Sequence, residues 1–179
     1  MTERTPVAEQ PLIDDAKATA WEKASNRLGS PELERTYWLA TVRPDGRPHV
    51  MPILGLWLDD AFYFITGEKT RKGKNLAANA ECVLTASSHV LPSLDVIVEG
   101  RATRVADETE LSRVVAAYGS ELKWELTLHD GRVEGQNAPT AGPPPYAVFG
   151  LRPTTVFGLP GTFGMEKTKE PFTPTRWRF

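Results

Sequence analysis

Lys69-Thr70-Arg71-Lys72-Gly73-Lys74 places four cations within six residues, directly after a strand-like run and at the start of a helix-like one. Unpaired backbone N–H groups at such a start, together with the helix dipole, favour an anion. Arg71 and Lys72 would add charge-assisted hydrogen bonds, and the Thr70 hydroxyl another. The chemistry this points to is phosphate binding. A solvated basic loop would use the same residues.

Other chemistries find less support. No G-x-G-x-x-G follows a strand and no Walker motif is present, so neither a Rossmann nor a P-loop nucleotide site is indicated. His49, His89 and His129 lie far apart and Cys82 is the single cysteine, which excludes ligand spacing for a metal. Cys82 sits in an apolar run and reads as a small buried side chain. Ser87-Ser88-His89 is no nucleophile elbow, and a hydrolytic triad has no support. The tail Thr175-Arg176-Trp177-Arg178-Phe179 alternates arginine with aromatic rings. It is either a last strand packed on the body, or a segment from which Arg176 and Trp177 reach a cofactor.

These residues need elements to position them. Residues 12–28 carry a weak apolar face at helical spacing (Leu12, Ala16, Ala20, Ala24, Leu28), and Ser30-Pro31 restarts a short helix. Strands are expected over 37–42, 48–58, 61–66, 81–86 and 94–105, with a last strand or pair over 146–151 and 154–158. Arg43-Pro44-Asp45-Gly46 supplies a tight reversal between the first two. The 48–58 strand is apolar on both faces, as a wall covered from two sides would be. Pro52 within it belongs at a bulge, an edge or beside a ligand. Asp107 caps a helix running towards Leu126, and residues 129–145 form a Gly/Pro/Asn-rich loop. Closely spaced strands joined by short turns predict a mainly β fold, a small antiparallel barrel with helical decoration, rather than a doubly wound parallel sheet.

The net charge of −2 offers no general attraction for nucleic acid, so any anion site must be local. No apolar run approaches the roughly 18 residues of a membrane span, and residues 1–11 lack a secretory core. A single cysteine suits a reducing compartment. The expectation is a cytoplasmic protein with no membrane partner.

Taken in order, Leu39-Ala40-Thr41-Val42, Asp45-Gly46-Arg47-Pro48-His49, Met51-Pro52-Ile53, Phe64-Ile65-Thr66, Lys74-Asn75-Leu76 and Pro153-Thr154-Thr155-Val156-Phe157-Gly158 resemble the pyridoxamine 5′-phosphate oxidase-like superfamily of split barrels that bind FMN or deazaflavin. The ending Thr175-Arg176-Trp177-Arg178-Phe179 is similar to that of its flavin/deazaflavin oxidoreductase branch. The resemblance covers residues 30–179, leaving 1–29 as a helical extension. It implies a split antiparallel β-barrel of the FMN-binding type and a homodimer with cofactor sites at the subunit interface. Carried over by position, Val50, Met51, Pro52 and Ile53 would lie along the isoalloxazine ring, and Ile65 and Thr66 would flank the ribityl chain. Thr70, Arg71 and Lys72 would hold the phosphate with Asn75 nearby, and Arg176 and Trp177 would complete the site. The residues with which the oxidase proper recognises pyridoxal phosphate have no match here, which argues against vitamin B6 oxidation.

The implied function is hydride transfer between the cofactor ring and an unsaturated small molecule, with the barrel supplying position and electrostatics. Coenzyme F-420 is the first choice of cofactor, because the cation cluster suits its phosphate and poly-acidic tail; FMN is the second. The rival from another class is a non-catalytic haem- or bilin-binding protein using His49 or His89 as axial ligand.

Overall fold

The computed structural model describes residues 5–29, 36–87, 94–136, 140–160 and 172–179. In chain order the elements are β1 (Ala8–Pro11), α1 (Trp21–Gly29), β2 (Thr36–Val42), β3 (Pro48–Ile53), β4 (Gly55–Leu58), β5 (Ala61–Thr66) and α2 (Arg71–Ala78). Then follow β6 (Glu81–Ser87), β7 (Leu94–Arg104), α3 (Glu108–Leu122), β8 (Thr127–His129), β9 (Arg132–Glu134), β10 (Ala147–Pro160) and β11 (Thr175–Arg178). The expected helix after Ser30 and the residue His89 lie outside the described residues.

Nine strands join in one antiparallel sheet in the order β1-β11-β10-β7-β6-β2-β3, with β5 also pairing β10 and β4 pairing β5. The fold is a split antiparallel β-barrel. Strand β10 makes the split possible. It pairs with β7 from residue 149 to 160, while residues 147–151 pair with β5 and residues 155–158 with β11. What reads in the sequence as two short strands around Pro153 is one strand. The proline sits at a register shift between Pro153 and Thr155, where its missing N–H costs no ladder bond.

Two buried clusters flank β5. Phe62 and Phe64 face the barrel interior with Leu39, Leu84, Val98 and Leu151. Tyr63 and Ile65 face the other way, under Leu111, Val114 and Tyr118 of α3. The Tyr63 hydroxyl donates to Glu110 at 2.6 Å, and burial together with that carboxylate pushes the phenol up to about 12.

The expected single strand over 48–58 is broken. β3 pairs with β2, whereas β4 pairs with β5. Leu54 lies at the break, its carbonyl accepting a 3.3 Å hydrogen bond from the buried Tyr118 hydroxyl. The break also resolves the two apolar faces. Trp38, Val50 and Leu54 remain 45%, 52% and 48% exposed on the outside, while Leu56 beyond the break is buried.

The N-terminal segment is not a wholly helical extension. β1 adds to the sheet beside β11, and only residues 21–29 are helical. Glu9 of β1 accepts a hydrogen bond from the first α1 amide, Trp21 N, at 2.8 Å, an acidic group at a helix start. α1 buries Trp21, Ala24 and Leu28 in the main core. The domain therefore includes residues on both sides of the expected boundary at 29.

Cys82 is buried in the barrel, and loss of solvation pushes its thiol up to about 12. A thiol so poorly ionised is a weak nucleophile. Iodoacetamide at pH 8 should leave the folded protein unlabelled and modify it only in denaturant. Rapid labelling of the folded protein, read by mass spectrometry, would contradict this placement.

Candidate functional site

The basic segment folds as a loop entering α2, as its composition implies. Thr70 is the N-cap, with its hydroxyl oxygen accepting from Gly73 N at 3.1 Å. The same hydroxyl donates to Gly67 O at 2.8 Å and lies 3.0 Å from the Thr66 hydroxyl, which is left to donate to it. Thr70 has one proton and has spent it within the loop. It builds the anion site without being free to donate to the anion, which corrects the role expected from sequence. Gly73 permits the tight entry, since a Cβ there would lie 2.5 Å from Gly67 O.

Lys72 is also redirected. Its side chain is 3% exposed and its ammonium donates to the Thr140 carbonyl. Burial lowers its pKa. Together with the 2.8 Å bond from Gly67 N to Ala141 O, this contact fastens residues 140–141 to the loop. Arg71, by contrast, is exposed. The amides of Arg71 and Lys72, in the first turn of α2, lack intrahelical acceptors by helix geometry.

On the other side of the site Asn75 was expected from the sequence, and Thr41 and Arg43 were missed. Asn75 is fully buried and donates to Thr41 Oγ1 at 2.9 Å, while its Oδ1 has no partner. Thr41 faces His49 across the β2–β3 register. His49 lies close enough to Arg43, Lys72 and Arg71 to feel all three charges. Arg43 Nε is buried without a partner. The signal was present in the hairpin: a tight turn at 43–47 sets Thr41 opposite His49, and Thr41 is brought against α2 by Asn75. What results is a group of cations around His49 with two orphaned buried polar atoms beside it, and no paired general acid and base among the described residues.

Beside it, Gly67, Glu68, Lys69 and Thr70 line a cleft of about 450 Å³ with Arg132 and Pro143–Pro145. Glu68 bridges Arg104 at 3.1 Å and Arg132 at 3.2 Å across this wall.

The remaining expected positions divide. Val50 and Pro52 stand on the outer face, because they pair in register with Ala40 and Trp38; Met51 and Ile53 alternate inward, and Ile53 enters the main core. The four side chains therefore do not share one surface. Thr66 is buried at the loop, but Ile65 is packed beneath α3 and is not placed to flank a ligand with its side chain. Trp177 is fully buried, with Nε1 donating to Thr19 O at 3.0 Å. It is a core residue and its ring cannot touch a cofactor. Arg176 lies opposite Phe157, ten residues along β10 from Ala147, which pairs with Thr66. At about 3.3 Å per residue, roughly 30 Å of strand separates it from the loop of the same chain.

Residues 30–159 match the pyridoxamine 5′-phosphate oxidase family profile. The chain belongs to this family. Among curated members, the pyridoxine/pyridoxamine 5′-phosphate oxidase of Pseudomonas fluorescens (strain Pf0-1) is 39% identical over 88 residues, covering 47% of this chain and 40% of that protein. The matched stretches span between 40% and 63% of the length of such oxidases. Solved structures of the same fold include a haem-binding protein of Mycobacterium smegmatis (TM-score 0.58, 18% identity, covering 77% of this chain and 53% of that one). The FAD-binding protein of Mycobacterium smegmatis scores 0.55 at 19% identity, over 92% of this chain and 100% of that one. An F420 reductase scores 0.50 at 22% identity, over 73% and 94%. The family match ends at residue 159, before β11, so the Arg-Trp-Arg-Phe ending lies outside it.

Proposed function

We propose that this oxidase-family barrel binds a phosphate-bearing flavin or deazaflavin and acts as an oxidoreductase on an unsaturated small molecule. The observation that carries the reading is the convergence at the start of α2. The first-turn amides of α2, which helix geometry leaves without intrahelical acceptors, stand with Arg71, Arg43 with its orphaned Nε, and His49, and no carboxylate figures among the charges that act on His49. When bound, the cofactor ring supplies the hydride chemistry, and the chain's own residues bind its phosphate, orient it and shield it. The absence of a paired acid and base suits that division of labour.

Coenzyme F-420 remains the preferred cofactor, because Lys69, Arg71 and Lys74 are exposed around the loop and Arg132 lines the adjoining cleft, where an acidic tail would be held. FMN is the alternative. The haem reading draws on the haem-binding structural neighbour, but His49 sits among cations rather than in an apolar pocket. The exposed row of Trp38, Val50 and Leu54 supports a homodimer that covers this face. A monomer by light scattering would remove that part of the proposal. The cofactor is tested by titrating purified apo-protein in parallel with FMN and with the deazaflavin, following fluorescence. Micromolar or tighter binding of one of them is expected, and binding of neither would overturn the reading.

A further inference from the structure

Thr41 and His49 are register partners, so their side chains stand on one side of the hairpin, the side on which Asn75 reaches Thr41 from α2. Because Asn75 Nδ2 donates to Thr41 Oγ1, the Thr41 proton is left for His49, whose Nδ1 and carbonyl oxygen each lie 3.4 Å away. Thr41 thus holds the His49 ring through its Nδ1 edge, leaving Nε2 on the side turned away from Thr41. The charged groups around the ring are Arg43 from the hairpin and Lys72 and Arg71 from α2. Asp45, the carboxylate of the same turn, is paired with Arg47 at 2.7 Å. Partial burial and then these three cations lower the pKa of the imidazole.

We propose that His49 is a proton-coupled ligand of the cofactor phosphate, with Thr41 and Asn75 as its positioning residues. The inference rests on the phosphate reading of the site given above. An anionic phosphate, monoester or diester, placed between Arg43, Arg71 and His49 offsets the positive field at the ring. The imidazolium then becomes favourable, and binding draws one proton from solvent onto His49. The affinity gained is complete below the titration midpoint of the free ring, and it is lost as pH rises through the higher midpoint of the bound ring.

The experiment is an NMR titration of the histidine rings with and without FMN, and with and without the deazaflavin, His49 being assigned from His49→Gln. The midpoint of the His49 ring should rise by about one unit or more on binding, equivalent to a tenfold affinity change. Calorimetry in buffers of different ionisation heat should show proton uptake for the wild type. His49→Gln and His49→Arg should take up no proton, the FMN phosphate, whose second pKa is about 6, instead releasing a fraction of one as the cations favour its dianion. Cofactor binding with an unmoved His49 midpoint, or equal proton exchange in all three proteins, overturns this proposal and leaves the cofactor assignment standing. Failure of either cofactor to bind overturns both.

Discussion

Replacing Trp177 with alanine should destabilise the protein by about 3–5 kcal/mol, the range for removing a large aromatic side chain from a core. Trp177 is fully buried, its ring lies 5.6 Å from that of Trp21 in edge contact, and its N–H satisfies Thr19 O. Trp21 in turn contacts the rings of Trp57 and Phe179, so a cavity at 177 would loosen a group of four aromatic side chains. The seat is made to measure: a Cβ on Gly158 would lie 2.7 Å from the Trp177 ring. Trp177→Phe keeps most of the volume but orphans the Thr19 carbonyl, and should cost about 1–3 kcal/mol. Urea denaturation measures both. If Trp177→Ala were as stable as the wild type but bound cofactor poorly, the core assignment would be wrong and a ligand contact would be indicated instead.

Arg71→Ala should weaken flavin or deazaflavin binding by about 1.5–3 kcal/mol, roughly ten- to hundredfold, the range for one charged hydrogen bond. It should leave the melting temperature unchanged, because the side chain is exposed. Lys72→Ala should behave differently. Its ammonium fastens Thr140 to the loop, so its loss should lower the melting temperature as well as the affinity. Paired thermal melts and fluorescence titrations separate the two. Equal behaviour of the two variants would mean that Arg71 and Lys72 share one role, as adjacent cations in a sequence suggest and as this geometry denies.

That contrast shows how far the sequence could be read. The barrel was legible because its strands are short, alternating and joined by turns such as Asp45-Gly46. The helix cap at Asp107 was legible for similar reasons, whereas Thr70, read as a phosphate donor, proved to be the N-cap of α2. Composition located the basic loop but could not assign its members. Whether an ammonium faces a ligand or a backbone carbonyl depends on where residues 140–141 return, and no local pattern encodes that. Ile65 and Thr66 are neighbours, yet alternation sends one under α3 and the other to the loop. The break at Leu54 was hidden because an apolar run carries no mark of a change in pairing partner. The strand β1 was hidden because Ala8–Pro11 has no β-rich composition and is recruited only by β11.

The clasp between the two chain ends has a consequence for how the molecule is made. Thr19 N bonds the hydroxyl of a residue 156 positions further along, and Trp177 closes over Trp21 from the same distance along the chain. β2 to β7 can pair with near neighbours as they emerge from the ribosome, but the partners of α1 on β11 are synthesised only after all of these strands. Contacts of such long separation are slow to form, because their loop entropy is lost before they contribute stability. Until then Trp21, Ala24 and Leu28 lack part of their cover. The nascent N-terminal helix is thus the segment most in need of chaperone protection, and closure of the clasp is the expected slow phase of refolding.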